Sequence, residues 1–230
     1  KGEHNGLSVI AMTETGGFLN TPNIYMDKIA VGGGLPDGIV DIDEEPAKNL
    51  RELATAKGVD VSDLVVCILD RPRHSQLIAS TREAGARIVL ITAGDVSGVI
   101  ATTWPKSGID IYMGIGGAPQ GVLAAAALGC VGGQMQGRLV FRDDSEKKLA
   151  RDYGIDDLDR KYTIGDMATG DLTFAATGVT DGSMLQGVRR TPNGVSTQSV
   201  VMRSKTGTVR VIGADHDLRR SPAIEGAEIV

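Results

Sequence analysis

Two arginines flank a proline in Asp70-Arg71-Pro72-Arg73-His74, which puts two guanidinium groups on one short turn. A guanidinium is a planar fork of N–H donors that matches the oxygens of a phosphate or carboxylate. Two later turns carry similar punctuation: Ala93-Gly94-Asp95, and Gly114-Ile115-Gly116-Gly117-Ala118-Pro119-Gln120-Gly121. Each follows an aliphatic run and feeds a segment with helical character. A helix start offers unpaired N–H groups and the positive end of the helix dipole, and glycine lets backbone approach an anion. Together the turns describe a pocket for a phosphorylated small molecule. Ordinary turn chemistry accounts for the same glycines and prolines, and Arg71 and Arg73 also fit a solvated face. His74 is expected at the surface or as a capping residue, and His4 and His216 show no partner pattern.

Other phosphate chemistries fail on spacing. Gly114-Ile115-Gly116 begins a dinucleotide fingerprint, but Pro119 stands at its sixth position. Gly116 and Gly121 have P-loop spacing, yet Val122-Leu123 follows where Lys and Ser/Thr are required. There is no nucleophile-elbow serine and no His-Glu-x-x-His helix. The acidic run Asp41-Ile42-Asp43-Glu44-Glu45 is read as a charge bias at a helix start rather than a metal site. From the residues alone the chemistry reaches binding of a sugar or small-molecule phosphate, and no further.

Three consecutive strand–turn–helix units must position these turns. The aliphatic runs Leu64–Leu69, Arg87–Thr92 and Ile109–Ile115 read as strands, the first two buried on both faces. Helices follow from Pro72 to Gly85, from an Asp95 cap to Thr103, and from Pro119 to Gly132-Gly133. Such units imply parallel strands in an α/β architecture, with all three turns at the carboxyl edge, where these folds place ligands. Further strands are expected at Leu7–Ala11, Gln134–Arg142, Leu172–Thr177, Thr197–Arg203 and Thr208–Gly213. Helices are expected from Pro46 to Gly58 and over Asp143–Tyr153, with a polar tail fraying after Asp215.

The composition of the 230 residues agrees: 41% hydrophobic and 23% charged residues supply a core. Glycine numbers 31, and aromatics are only 3%, so the core must come from Val, Ile, Leu and Ala. A net charge of -5 offers no basic footprint for nucleic acid. No apolar run approaches membrane-spanning length, and Lys1-Gly2-Glu3-His4 begins no apolar signal core. Cys67 and Cys130 lie in apolar stretches and read as reduced core residues of a cytoplasmic protein.

Along essentially its whole length, the chain resembles the class II fructose-1,6-bisphosphatases, including bacterial enzymes that also take sedoheptulose-1,7-bisphosphate. The resemblance lies in Phe18-Leu19-Asn20-Thr21-Pro22, Tyr25-Met26-Asp27-Lys28, Arg71-Pro72-Arg73-His74 and Gly114-Ile115-Gly116-Gly117-Ala118-Pro119. It continues in Asp166-Met167-Ala168, Ala175-Ala176-Thr177-Gly178-Val179-Thr180 and Val201-Met202-Arg203-Ser204-Lys205. It implies an α/β fold, the layered sugar-phosphatase fold of the lithium-sensitive phosphatase superfamily. The chain is then expected to be a single C-terminal portion lacking the N-terminal metal-binding segment, with residues 64–133 forming the phosphate pocket and 216–230 a frayed tail.

The resemblance also implies a chemistry: Mg²⁺ or Mn²⁺ activates water for attack on the 1-phosphate of fructose-1,6-bisphosphate, giving fructose-6-phosphate in gluconeogenesis. Substrate contacts would fall on Tyr25, Arg71, Pro72, Arg73, Gly94, Asp95 and Gly117, in a homo-oligomer. Two positions depart from the family pattern. Gln120 stands where the family has a metal-binding Glu, and Ala93 where it usually has Asp. An amide oxygen coordinates a hard cation without adding negative charge, so affinity should fall. The alternative expectation is a catalytically weakened or inactive sugar-phosphate binder. A weaker third is activity on inositol or nucleotide phosphates.

Overall fold

A computed structural model describes residues 4–219. In chain order the elements are β1 (Leu7–Met12), β2 (Tyr25–Val31), α1 (Pro46–Lys57), β3 (Val65–Leu69), α2 (Ser75–Glu83), β4 (Arg87–Ile91), α3 (Asp95–Ala101) and β5 (Ile111–Gly117). They continue with α4 (Ala118–Val131), β6 (Gln134–Val140), α5 (Asp144–Asp152), β7 (Tyr162–Thr163), α6 (Ile164–Met167), β8 (Thr173–Gly178), β9 (Arg189–Thr191), β10 (Gly194–Arg203) and β11 (Thr208–Asp217). Two sheets result. One has six strands in the order β4-β3-β5-β2-β6-β7, and the other runs β1-β8-β10-β11 with β9 also on β10.

Helices and sheets alternate in layers. Leu50 and Leu53 of α1, with Leu77 and Ile78 of α2, pack on Ile29, Val31, Val66, Ile68, Ile111 and Met113 of the six-stranded sheet. Its opposite face, through Met26, Ala30, Cys67 and Tyr112, meets α3 and α4. Beyond Gln120 in its first turn, helix α4 is apolar all round, as a helix enclosed between two sheets must be. Ala124–Ala127 are all within 1% of full burial, and these small side chains let α4 fit between the sheets. Phe174, Ala176, Val200 and Met202 complete that layer from the five-stranded sheet. The opposite face of this sheet bears Ile10 and Met12, 56% and 54% exposed.

The three strand–turn–helix units are as expected: β3 pairs in parallel with both β4 and β5. Gly58 and Gly132 end α1 and α4 in the left-handed conformation, satisfying the last carbonyls. Four expectations need correction. The strand after Gly85 is not buried on both faces, because β4 is the sheet edge and Val89 and Leu90 are 42% and 39% exposed. Helix α3 ends at Ala101, short of Thr103. Strand β11 continues past the expected Gly213 to Asp217, paired residue by residue with β10, and residues 220–230 of the expected tail lie outside the described residues. Asp41 and Asp43 are not a helix-start bias but an ion-pair cluster with Lys161, which Arg138 joins through Asp43. Those cations hold Asp41 below the usual carboxylate range and Asp43 at about 2.

The central strand β2 is an addition that the aliphatic pattern does not announce. It pairs antiparallel with both β5 and β6. Cys67 and Cys130 are free and buried, as expected of core cysteines, and burial pushes the Cys67 thiol up to about 12.

Candidate functional site

The carboxyl ends of the parallel strands β3, β4 and β5 share one edge of the six-stranded sheet. Because β2 and β6 run antiparallel to one another in the same sheet, the start of β2 and the end of β6 also arrive there. In register, Tyr25 stands between Gly117 and Val140. The topology therefore brings Tyr25, the Arg71–Arg73 turn, the Gly94–Asp95 turn and Gly117 to one edge.

Backbone hooks lock these turns together. Arg71 donates from Nη1 to the Asp70 carbonyl at 2.7 Å and from Nη2 to Thr92 at 2.5 Å, bridging the ends of β3 and β4. Exposed Arg73 donates from Nε and Nη2 to the Ile115 carbonyl at 3.1 and 2.8 Å, bridging β3 and β5. The Arg73 guanidinium lies 4.8 Å from the Tyr25 ring centroid, within cation–π range. Each arginine keeps further N–H donors, since a guanidinium has five. Pro72 starts a single turn of 3-10 helix that leads into α2.

At the second turn Gly94, not Asp95, is the N-cap of α3, at φ 84°. Its conformation suits glycine, and a Cβ there would meet Ser97 Oγ at 2.7 Å. Asp95 is the first helical residue and is buried. Its Oδ1 accepts from Val96 N at 3.0 Å and its Oδ2 from Lys28 Nζ at 2.9 Å. Lys28 Nζ donates also to the Gly117 carbonyl at 3.0 Å.

His74 corrects an expectation. It is 1% exposed, not a surface residue, and although it stands at the N-cap position of α2 its side chain makes no cap hydrogen bond. Its Nδ1 lies 2.7 Å from the Leu69 carbonyl, and its Nε2 accepts from Ile115 N at 2.8 Å. With both nitrogens committed to backbone, it is a strut between β3 and β5. Burial lowers its pKa, which suits a neutral ring that donates from Nδ1 and accepts at Nε2.

Two residues absent from the expected set belong to this edge. One is Lys28. The other is exposed Arg142, just past β6, whose guanidinium lies 5.7 Å from the Tyr25 ring centroid and whose Nε donates to Glu146 at 2.7 Å. Tyr25 therefore has two arginines around one ring. Recognising β2 would have found Lys28, since Tyr25 and Lys28 share that strand; Arg142 has no local pattern.

Gln120, in the first turn of α4, is exposed and its amide occupies the space where a Cβ on Gly117 would stand. The fit to a divalent cation is poor here. Gln120 brings one neutral oxygen, Asp95 is committed to Lys28, and the described residues hold no group of three His, Cys, Asp or Glu that could bind a metal. A cleft of about 380 Å³ on the α1–α2 face includes Arg73, His74, Asp27, Asp43 and Asn49. It contains neither Arg71, Asp95 nor Gly117. We place the site at the sheet edge, because there the cationic forks and helix starts converge.

Comparison with known proteins shows the family. Residues 1–216 match the family model described as bacterial fructose-1,6-bisphosphatase, glpX-encoded. Proteins named D-fructose 1,6-bisphosphatase class 2/sedoheptulose 1,7-bisphosphatase from Synechococcus sp. (strain JA-2-3B'a(2-13)) and Trichodesmium erythraeum (strain IMS101) are each 39% identical over 229 residues. The alignments cover 94% of this chain, which spans 66% of the length of those relatives. With a family match over residues 1–216, the chain belongs to the bacterial, glpX-encoded fructose-1,6-bisphosphatase family.

Proposed function

We propose that the protein carrying this chain hydrolyses the 1-phosphate of fructose-1,6-bisphosphate to fructose-6-phosphate and inorganic phosphate, as a step of gluconeogenesis. Water oxygen joins phosphorus, the bond from phosphorus to the sugar oxygen breaks, and the leaving oxygen takes a proton. The observation that carries the proposal is the convergence of Tyr25, Arg71, Arg73, Gly94, Asp95 and Gly117 at one sheet edge. In this proposal Arg71 and Arg73 grip phosphate oxygens, the Tyr25 ring fixes the Arg73 plane, and Asp95 and the glycine backbones orient the sugar. Residues 64–133 supply the three turns of this pocket, and β2 adds Tyr25.

Mg²⁺ or Mn²⁺ is proposed for the whole protein, not for the described side chains, which do not assemble a cation site. The layered arrangement supports, as a proposal, membership of the lithium-sensitive phosphatase superfamily. A cytoplasmic homo-oligomer is proposed with it; no helix among the described residues is long and apolar enough to cross a membrane, and Ile10 and Met12 offer apolar surface for subunit contact.

A second reading, a weakened or silent sugar-phosphate binder, is favoured by neutral Gln120 and by the commitment of Asp95 to Lys28. Phosphate release from fructose-1,6-bisphosphate with Mn²⁺ separates the two. The full-length protein is compared with its Gln120→Glu, Ala93→Asp variant. Release from the unsubstituted protein supports the phosphatase, and release from the variant alone supports the weakened or silent binder. Silence from both, with binding intact, supports the binder.

A further inference from the structure

Lys28 is 1% exposed, in the middle of a sheet. Burial lowers its pKa, and the Asp95 carboxylate opposes that shift. A buried ion pair is a poor stabiliser, since apolar residues of equal volume often serve a core as well or better. What an apolar pair cannot do is fix an ionised carboxylate and a backbone carbonyl relative to one another.

Lys28 does both. Its Nζ spans the second and third turns, 2.9 Å from Asp95 Oδ2 and 3.0 Å from the Gly117 carbonyl. The backbone is built around this contact. A Cβ on Gly116 would lie 2.2 Å from Asp95 Oδ2 and 2.9 Å from Lys28 Nζ, so any other residue there would push the pair apart. The same strand presents Tyr25 to the first turn through Arg73. Strand β2 thus touches all three turns.

We propose that Lys28 is a positioning residue of the sugar-phosphate site, acting through Asp95 and Gly117 to set the second and third turns against one sugar. This rests on the function proposed above. Lys28 does not itself touch substrate, and the phosphate grip of Arg71 and Arg73 is independent of it. Its removal therefore costs recognition of the sugar and spares recognition of the phosphate.

The test titrates fructose-1,6-bisphosphate and inorganic phosphate calorimetrically into the full chain and into Lys28→Met, Asp95→Asn and the double variant. Lys28→Met is expected to weaken the sugar bisphosphate roughly tenfold and phosphate by less than about twofold. The double variant should bind the sugar bisphosphate no worse than Asp95→Asn alone. Should Lys28→Met not fold, the double variant, which replaces both charges with neutral groups of similar size, decides through its comparison with Asp95→Asn. Unchanged binding in Lys28→Met, or losses that multiply in the double variant, overturns the inference and leaves the proposed function standing. Loss of both ligands in Lys28→Met and in the double variant marks a purely structural role and also overturns it. An unsubstituted chain that binds neither ligand overturns the proposed function, and this inference with it.

Discussion

The Arg73 guanidinium stacks 4.8 Å from the Tyr25 ring centroid while donating twice to the Ile115 carbonyl. One planar group therefore joins the first turn, the start of β2 and the end of β5. A lysine keeps the charge but has neither the fork nor the plane. Arg73→Lys is expected to weaken fructose-1,6-bisphosphate binding by roughly tenfold, with the melting temperature moving less than about 4 °C. Calorimetric titration and a thermal melt check both numbers.

Arg142 approaches the same ring from the end of β6. If Tyr25 faces the sugar bisphosphate, Arg142 adds cationic charge to the site. Arg142→Ala is expected to weaken binding about threefold to tenfold, on the scale of one exposed cation–π or charge contact. An unchanged dissociation constant removes Arg142 from the site.

His74 tests the scaffold rather than the ligand. Removing a buried ring bonded at both nitrogens leaves a cavity and strips the Leu69 carbonyl and Ile115 N–H of a partner. His74→Ala should cost about 2–4 kcal/mol in denaturant unfolding. Burial lowers the folded-state pKa of His74, so the unfolded chain takes up this proton first. Stability from this group is complete above the ordinary histidine pKa of about 6.5 and is lost as pH falls below it. Unfolding free energy measured from pH 7.5 to 5 should fall less steeply in His74→Asn than in the unsubstituted chain.

Gly116 tests the close approach of backbone to the buried ion pair. The Cβ of Gly116→Ala would lie 2.2 Å from Asp95 Oδ2. Relief requires the carboxylate or strand β5 to move, an overpacking cost of about 1–3 kcal/mol. Sugar-bisphosphate binding should weaken with it, because Asp95 moves. Equal stability and equal affinity in Gly116→Ala would show that the pair has slack.

The sheet edge that gathers the three turns was legible in the sequence because its logic is local. Aliphatic runs ending in Arg71-Pro72-Arg73, Gly94-Asp95 and Gly116-Gly117 predict parallel strands with turns at one edge, and β3, β4 and β5 form that edge. Strand β2 was not legible. Tyr25-Met26-Asp27-Lys28 mixes charged and apolar residues, and only tertiary burial of Lys28 against Asp95 makes it a central strand. His74 misled for a related reason: a histidine in a helix's first turn is usually solvated, but here backbone groups from two strands satisfy it. The exposed apolar residues of β4 show the converse, since an aliphatic run marks a strand but not how many of its faces are covered.

The proposed function requires that the sheet edge grip a sugar bisphosphate. Calorimetric titration of fructose-1,6-bisphosphate into the full chain and into an Arg71→Ala, Arg73→Ala double variant tests it most directly. Saturable one-to-one binding by the chain, weakened at least about hundredfold in the double variant, is the predicted result. Absence of binding to the unsubstituted chain, or equal binding by a folded double variant, would contradict it.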